Sequence, residues 1–251
     1  MKRIRQRKMR YGNPEFDRDY LKWGFHDEAT QRKEAQSVLD LANAEGPLEI
    51  LDLACGHGAH AAYWARQGHH VLAIDVSETF IAEAKRRHGP VATLEFCVKD
   101  IKAVRASGTY DLVTWVERSF FDQEMCQIIS SALKPNGLFV TDVRNPNHPK
   151  TKRNKSDWRT WRQGNGVFFL EKHETDPATG VHEDLWITVD PENGTVLEEY
   201  ELSPQSEDEI DNMKQLLCEA GVTEIELKTM MAEPFTGGSQ SYWLWLVARK
   251  N

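Results

Sequence analysis

The feature that most constrains this chain is a short apolar segment that ends in a glycine-containing turn. Residues 48–53 read Leu-Glu-Ile-Leu-Asp-Leu, and Ala-Cys-Gly-His-Gly follows at 54–58. A helical pattern comes directly after the turn, so the stretch predicts a buried strand, a tight turn and a helix. Gly56 and Gly58 allow the backbone to bend sharply, and they allow a ligand to approach where a Cβ atom would block it.

Apolar strands alternate with helical stripes on both sides of this turn. With the first strand at 48–53, the pattern predicts further strands at 70–75, 94–98, 110–116 and 138–143, and helices at 27–42, 57–67, 77–88 and 122–133. Ser77 is the expected N-cap of its helix. This alternation predicts a parallel sheet of the doubly wound α/β type, which binds its ligands at the carboxyl ends of the strands.

Carboxylates stand at those carboxyl ends. Asp75 closes the second strand, where an acidic side chain accepts hydrogen bonds from both hydroxyls of a ribose, and Asp100 follows the third. The turn by itself serves dinucleotides as well as S-adenosylmethionine. A dinucleotide-binding turn normally carries a third glycine, and residue 61 is alanine. An NAD-dependent oxidoreductase is therefore only a distant alternative.

The second half of the chain changes character. A basic stretch with tryptophans covers 144–166, and three amphipathic strands are expected at 167–175, 181–189 and 195–202, separated by Asp-Pro-containing turns. We expect these strands to form an antiparallel insert after the fifth strand. A helix at 206–220, capped by Gly221, and strands at 223–229 and 242–248 complete the predicted elements.

Charge is distributed unevenly along the chain. The net charge is −8, yet residues 1–10 contain six Lys and Arg, so the other 241 residues together carry −14. A body this acidic is poorly suited to bind nucleic acid. The basic terminus is interpreted as solvated and frayed, and residues 11–24 as an aromatic, loop-like segment.

Cysteine usage and hydropathy give two further expectations. The four cysteines show no metal-like spacing, and His57 and His60 have no third ligand at suitable spacing, so we expect no metal site. No apolar run reaches the length of a membrane span and no signal-peptide pattern is present. We expect a cytoplasmic protein without membrane partners, either a monomer or a homodimer.

The motifs resemble those of a known family. Asp52 to Gly58 resembles motif I of the class I S-adenosylmethionine-dependent methyltransferases, with Ala54 in place of the usual first glycine, and Lys134-Pro-Asn-Gly137 is similar to their turn before strand five. The insert is similar to that of small-molecule methyltransferases, including amino-sugar N,N-dimethyltransferases. The resemblance implies a Rossmann-like seven-stranded methyltransferase sheet whose last strand is antiparallel, with an antiparallel β cap after strand five.

The same resemblance implies a domain order and a set of site residues. Residues 1–24 would form a tail and lid, 25–143 the cofactor-binding core, 144–203 the cap, and 204–251 the last helix and strands. The cofactor residues implied are Ala54, Gly56, Gly58, His60, Asp75, Val76, Asp100, Ile101, Val116, Phe121, Tyr20 and Trp23. Glu117 is the candidate base or ammonium-binding carboxylate, and Arg118, Arg144, Trp158 and Tyr242 are candidates for substrate binding.

These features predict a methyltransferase that uses S-adenosyl-L-methionine to methylate a nitrogen or oxygen atom of a small molecule by in-line displacement. Two alternatives stay open. A protein that binds the cofactor without transferring its methyl group would have the same cofactor site. An RNA methyltransferase is suggested by the basic residues between 150 and 162 and by the basic terminus, although the acidic body counts against it.

Overall fold

The computed structural model describes residues 5–8, 11–23, 27–116, 121–148, 159–162, 168–175, 181–190, 194–204, 209–232, 234–237 and 241–251. The chain divides into two compact units. One unit consists of Met1–Gly24 and Arg153–Glu209, and the other of Phe25–Lys152 and Ile210–Asn251. We call them the small unit and the large unit.

The strands and helices follow one another in this order: β1 (Arg5–Lys8), α1 (Pro14–Trp23), α2 (Glu28–Ala42), β2 (Glu49–Leu53), α3 (Ala59–Arg66), β3 (His70–Asp75), α4 (Glu78–His88), β4 (Leu94–Val98), a 3-10 helix (Ile101–Ala103), β5 (Tyr110–Trp115), α5 (Gln123–Ala132), β6 (Leu133–Arg144), β7 (Arg159–Arg162), β8 (Phe168–Thr175), β9 (Val181–Asp190), β10 (Thr195–Pro204), α6 (Glu209–Glu219), β11 (Val222–Thr229) and β12 (Trp243–Lys250). Within the described residues, no helix is long and apolar enough to cross a membrane.

The large unit is built on a seven-stranded sheet in the order β11-β12-β6-β5-β2-β3-β4. The strands from β6 to β4 are parallel to one another, and β12 runs antiparallel to both β6 and β11. This confirms the predicted Rossmann-like sheet with its antiparallel last strand. The strand order reverses between β2 and β5, which is where a doubly wound sheet opens a crevice for a ligand.

Alternate residues of each central strand pack on opposite faces of the sheet. On β2, Ile50 belongs to the apolar cluster formed with α2, α3 and α4, whereas Leu51 belongs to the cluster formed with α5 and α6. Both side chains are fully buried. The sheet is therefore covered on both faces, which explains why its strands read as almost continuous apolar runs.

Side-chain caps fix where the helices begin. The Ser77 hydroxyl accepts a hydrogen bond from the Phe80 amide at 3.0 Å, which confirms the predicted cap of α4. Asp122 accepts from the Met125 amide at 2.9 Å at the start of α5. Each cap satisfies an amide that the helix itself leaves without a partner.

The small unit contains a five-stranded sheet in the order β1-β10-β9-β8-β7. Strands β7 to β10 are antiparallel, as predicted for the insert, but β10 also pairs in parallel with β1. The interpretation of the basic terminus as frayed is therefore wrong for Arg5–Lys8, and β7 lies within a stretch read only as basic. The loop-like interpretation of residues 11–24 is also wrong, because Pro14–Trp23 is a helix.

Candidate functional site

The turn after β2 is the centre of the candidate site. Ala54, Gly56 and Gly58 all have positive φ angles, of 52°, 54° and 77°. The Cys55 amide donates to the Ile74 carbonyl at 2.9 Å, which ties the turn to β3. A positive φ angle is costly for a residue with a Cβ atom, so the turn depends on Gly56 and Gly58.

Gly58 is required for a reason that the sequence did not reveal. A Cβ atom at this position would lie 2.4 Å from Cε1 of Phe96 on β4. The absence of a side chain lets the start of α3 pack against the Phe96 ring. The sequence predicted that Gly58 would make room for a ligand, and the structure shows that it makes room for the core.

Asp75 holds the turn in shape. Its two carboxylate oxygens accept hydrogen bonds from the Gly56 amide at 2.9 Å and the Ser77 amide at 2.8 Å. The side chain is buried, with 5% of its surface exposed. Each carboxylate oxygen has a further lone pair, so the same group can brace the turn and accept from ribose hydroxyls.

Asp52 lies near the end of β2 and was not among the cofactor residues predicted from the sequence. Its Oδ1 accepts a hydrogen bond from the Thr114 hydroxyl at 2.8 Å. The pKa of this carboxyl is raised to about 6, mainly by burial and to a smaller extent by the charge of Asp75. His60 and the Thr114 hydrogen bond act in the opposite direction. Its place as the acid of the glycine motif was the signal that could have identified it.

An apolar platform lies beside Asp75. Val76 and Val98 are 50% and 46% exposed, among the largest values for big apolar side chains in the described part of the chain. Asp75 and Val98 are register partners of β3 and β4, so the platform spans two adjacent strand ends. Asp100 comes two residues after Val98 and accepts a hydrogen bond from the Lys102 amide at 2.8 Å. The Ile101 side chain is buried.

An open cleft adjoins the turn, and the space in it that is accessible to a water molecule is about 40 Å³. Its lining comes from α2, β2, the turn, α3 and the end of β5: Gln31, Asp52, Ala54, Cys55, His57, Ala59, His60 and Val116. In the part of the chain that the structure describes, no group of three or more His, Cys, Asp and Glu is arranged to hold a metal ion.

The two histidines of the cleft have different environments. Nε2 of His60 lies 3.1 Å from a Glu34 carboxylate oxygen, and the His60 ring stacks on Trp64 with centroids 5.9 Å apart. His57 is 3% exposed, and burial lowers its pKa to about 4, so its ring is neutral at physiological pH.

The remaining predicted residues of the large unit lie at the ends of β5, β6 and β12. Phe121 packs between Trp115 and Phe139 with centroid distances of 6.2 Å, a core position that needs no ligand to explain it. The Arg144 guanidinium lies over the Trp243 ring, 6.0 Å from its centroid. Tyr242 makes an edge contact with His148 at 5.3 Å.

The described structure does not test the roles predicted for five residues. Glu117, Arg118 and Trp158 lie outside the described residues. Trp23 ends α1, but its side chain is outside the described part. Tyr20 packs in the small unit against Phe16 at 5.7 Å. The roles assigned to these five residues stay predictions.

Comparison with known proteins now adds to this geometry. Residues 50–137 match the family described as "Methyltransferase domain". A protein of Geobacillus sp. (strain WCH70), named provisionally as a methyltransferase, is 27% identical over 204 residues, which cover 76% of this chain and 81% of that one. The malonyl-[acyl-carrier protein] O-methyltransferase of Enterobacter lignolyticus is 31% identical over 117 residues, 44% of each chain.

Solved structures share the fold. CcbJ, a methyltransferase from Streptomyces caelestis, has a TM-score of 0.73 at 18% identity, with 92% of this chain and 95% of that chain covered. CalS10 from Micromonospora echinaspora, an amino pentose methyltransferase solved with S-adenosylmethionine bound, has a TM-score of 0.63 at 17% identity, with 94% and 96% covered. The sheet order, the matched domain and these structures agree: residues 50–137 are similar to the methyltransferase domain, and the chain has the fold of these solved methyltransferases.

Proposed function

We propose that this protein transfers a methyl group from S-adenosylmethionine to a nitrogen or oxygen atom of a small molecule. The observation that carries the proposal is the arrangement, at the carboxyl ends of neighbouring strands, of a glycine turn, the Asp75 carboxylate and an exposed apolar platform. Val76 and Val98 expose about half of their surface next to Asp75, where a flat apolar base would cover them. The turn, the carboxylate and the apolar platform would each suit a different part of the cofactor.

Each part of the cofactor has a matching group in the large unit. Asp75 would accept from the ribose hydroxyls, Val76 and Val98 would pack on adenine, and Asp100 would accept from the adenine amino group. The Ala54 carbonyl and the Asp52 carboxylate border the cleft and would attract the ammonium of the methionine part. His60, paired with Glu34, would face the cofactor's carboxylate. Tyr20 and Trp23 remain proposed as lid residues on their resemblance alone.

When bound, the cofactor supplies a sulfonium-activated methyl group, which is already a good electrophile. The protein's own contribution is to hold a nucleophile in line with that methyl group at ~3 Å and to keep water out. A general base helps only when the acceptor arrives protonated. Glu117 is the proposed base for that case, on the resemblance and on its position directly after Val116, which lines the cleft.

Two observations support a small acceptor. The charge of −14 outside the first ten residues opposes a polyanionic substrate. CalS10, which shares the fold, is an amino pentose methyltransferase.

The four cysteines are free, which fits the cytoplasmic location that we include in the proposal.

The first test is isothermal titration of S-adenosylhomocysteine into the wild type and into Asp100→Asn. Asparagine retains an oxygen to accept from the Lys102 amide, so the fold should persist, but its amide NH₂ cannot accept from the adenine amino group. We expect binding to the wild type and about tenfold weaker binding to the variant. Asp40→Asn is the matched control, because Asp40 is an exposed acid whose partner is Gln36 of the same helix.

The second test separates transfer from binding. The protein is incubated with S-adenosylmethionine carrying a tritiated methyl group, together with a pool of small metabolites or with bulk RNA. Label in a small metabolite is the expected result. A protein that only binds the cofactor leaves all label on it, and label in RNA would contradict the small-molecule proposal. Absence of S-adenosylhomocysteine binding would contradict the proposal at its first step.

A further inference from the structure

Arg144 stands out among the arginines whose side chains the structure describes. Within that set only Arg144 and Arg249 are partly buried rather than exposed. Arg249 lies 3.7 Å from a Glu224 carboxylate oxygen and donates to the Asn136 carbonyl at 2.8 Å. Arg144 lies over the Trp243 ring, and no carboxylate of the described residues is within 4.0 Å of its guanidinium. The comparison is informative because the chain has 39 acidic residues.

A guanidinium with part of its surface withdrawn from water normally acquires an anionic partner. The Trp243 ring stabilises the charge by a cation–π contact, but the ring is not a hydrogen-bond acceptor for the fork, and no described residue accepts a hydrogen bond from its N–H groups. The fork matches the two oxygens of a carboxylate. Arg144 can therefore recognise an anion, and the described residues around it do not supply one.

The position of Arg144 points to the methyl acceptor as that partner. Arg144 ends β6, the neighbour of β5, and Trp115 of β5 is in register with Thr141. By this register Val116, which lines the cleft, is level with Asp142, so Arg144 extends about 7 Å beyond it on the carboxyl side of the sheet. A small molecule anchored at Arg144 can thus reach toward the cleft.

The segment around Arg144 is held rigidly. Asn145 is fully buried, its amide donates to the Tyr242 carbonyl at 2.8 Å, and its side-chain amide donates to the Ser241 carbonyl at 2.7 Å. His148, Tyr242 and Trp243 form a row of ring contacts at 5.3 and 5.0 Å beside the guanidinium. A fixed cation next to aromatic rings suits an anionic group carried on an apolar or aromatic body.

We infer that Arg144 is a specificity-determining residue that binds a carboxylate of the methyl acceptor, and that the acceptor is a small carboxylic acid with an apolar or aromatic body. The inference rests on the proposed function for the identity of its ligand. The anchored carboxylate is a recognition group distinct from the atom that is methylated, because an oxyanion held by a guanidinium fork is a weakened nucleophile. Trp243 and Tyr242 contact the body of the acceptor.

The test uses benzoate as the probe and benzamide as its neutral isostere. Each compound is titrated into the full-length protein, with and without S-adenosylhomocysteine, while the arginine Nε–H resonances are followed by NMR. The Arg144 resonance is identified by its loss in Arg144→Lys, and that of Arg249 by its loss in Arg249→Lys. Folding of each variant is verified from the remaining amide spectrum.

We expect benzoate to shift the Arg144 resonance saturably, benzamide to bind at least tenfold more weakly, and neither compound to shift Arg249. A benzoate titration without a saturable shift at Arg144 would overturn the inference, as would equal shifts by benzamide or at Arg249. Inorganic phosphate that shifts Arg144 where benzoate does not would overturn the carboxylate assignment. If S-adenosylhomocysteine binds but benzoate does not, only this inference fails. If benzoate binds but S-adenosylhomocysteine does not, the carboxylate site at Arg144 stands, while the proposed function fails and with it the identification of the ligand as a methyl acceptor.

Discussion

The Asp52 carboxylate lies at the end of β2 with 3% of its surface exposed, and burial raises its pKa from an ordinary value of 3.8 to about 6. An acid whose pKa is higher in the folded than in the unfolded state opposes folding when it is ionised. Asp52→Asn removes this charge, and asparagine keeps an oxygen to accept from the Thr114 hydroxyl. We therefore expect the variant to be more stable than the wild type near neutral pH.

The magnitude follows from the difference between the two pKa values. At about 1.4 kcal/mol for each pKa unit, the ionised carboxylate destabilises the fold by up to about 3 kcal/mol above pH 6. The sign is fixed by the direction of the shift: the cost is present in full above the folded-state pKa, falls to about half of that near pH 5, and vanishes below the unfolded-state value. The gain from Asp52→Asn should therefore shrink as the pH is lowered.

The assay is urea unfolding of the wild type and Asp52→Asn at pH 8 and pH 5, without cofactor, with the slope in denaturant compared at each pH. At pH 8 the gain corresponds to about 6–12 °C in melting temperature. The same variant should bind S-adenosylhomocysteine about tenfold more weakly at pH 8, because the ionised carboxylate attracts the ligand's ammonium. A gain that is absent at pH 8, or equal at both pH values, would refute the reasoning, and Asp40→Asn should show no pH-dependent gain.

Three further outcomes are expected from other parts of the large unit. Gly58→Ala should cost about 2–4 kcal/mol in urea unfolding, because the new Cβ atom meets the Phe96 ring at 2.4 Å on a backbone with φ of 77°. The same substitution should cost less in a Phe96→Ala background, but not nothing, since the backbone strain persists; a fully tolerated Gly58→Ala would show that the contact relaxes freely. Ser77→Ala should cost about 1 kcal/mol by removing the acceptor of the Phe80 amide, and Ser77→Thr, which keeps a capping hydroxyl, should lose less; equal losses in both variants would count against the cap. His57→Gln should leave the dependence of S-adenosylhomocysteine affinity on pH unchanged between pH 6 and 8, since His57 titrates at about pH 4; a change of that profile in titration calorimetry would contradict a neutral His57.

Some of the candidate site was visible in the sequence because it depends on local chemistry. The turn needs glycines for its positive φ angles, and the helix after β3 needs a capping hydroxyl at Ser77. Strand ends at 70–75 and 94–98 were located to the residue, because buried parallel strands are continuous apolar runs. Asp75 was placed at a carboxyl end by the same pattern.

The errors of the sequence reading have a common cause. The α1 helix was read as part of an aromatic, loop-like segment, because local composition dominates the interpretation when no packing surface is known. Strand β1 pairs in parallel with β10, and the partner lies about 190 residues away along the chain. Nothing local to Arg5–Lys8 identifies such a partner.

The sequence alone determined the α/β class, the position of the glycine turn and the carboxylates that follow the strands, because these are set by periodicity and by backbone requirements of single residues. Only the tertiary structure decided which groups meet. It placed the Phe96 ring where a Cβ of Gly58 would be, withdrew Asp52 from water so that its pKa rose, and left Arg144 over Trp243 without a described carboxylate. Burial and proximity between distant segments are properties of the packed chain, so they appear only when the strands are assembled.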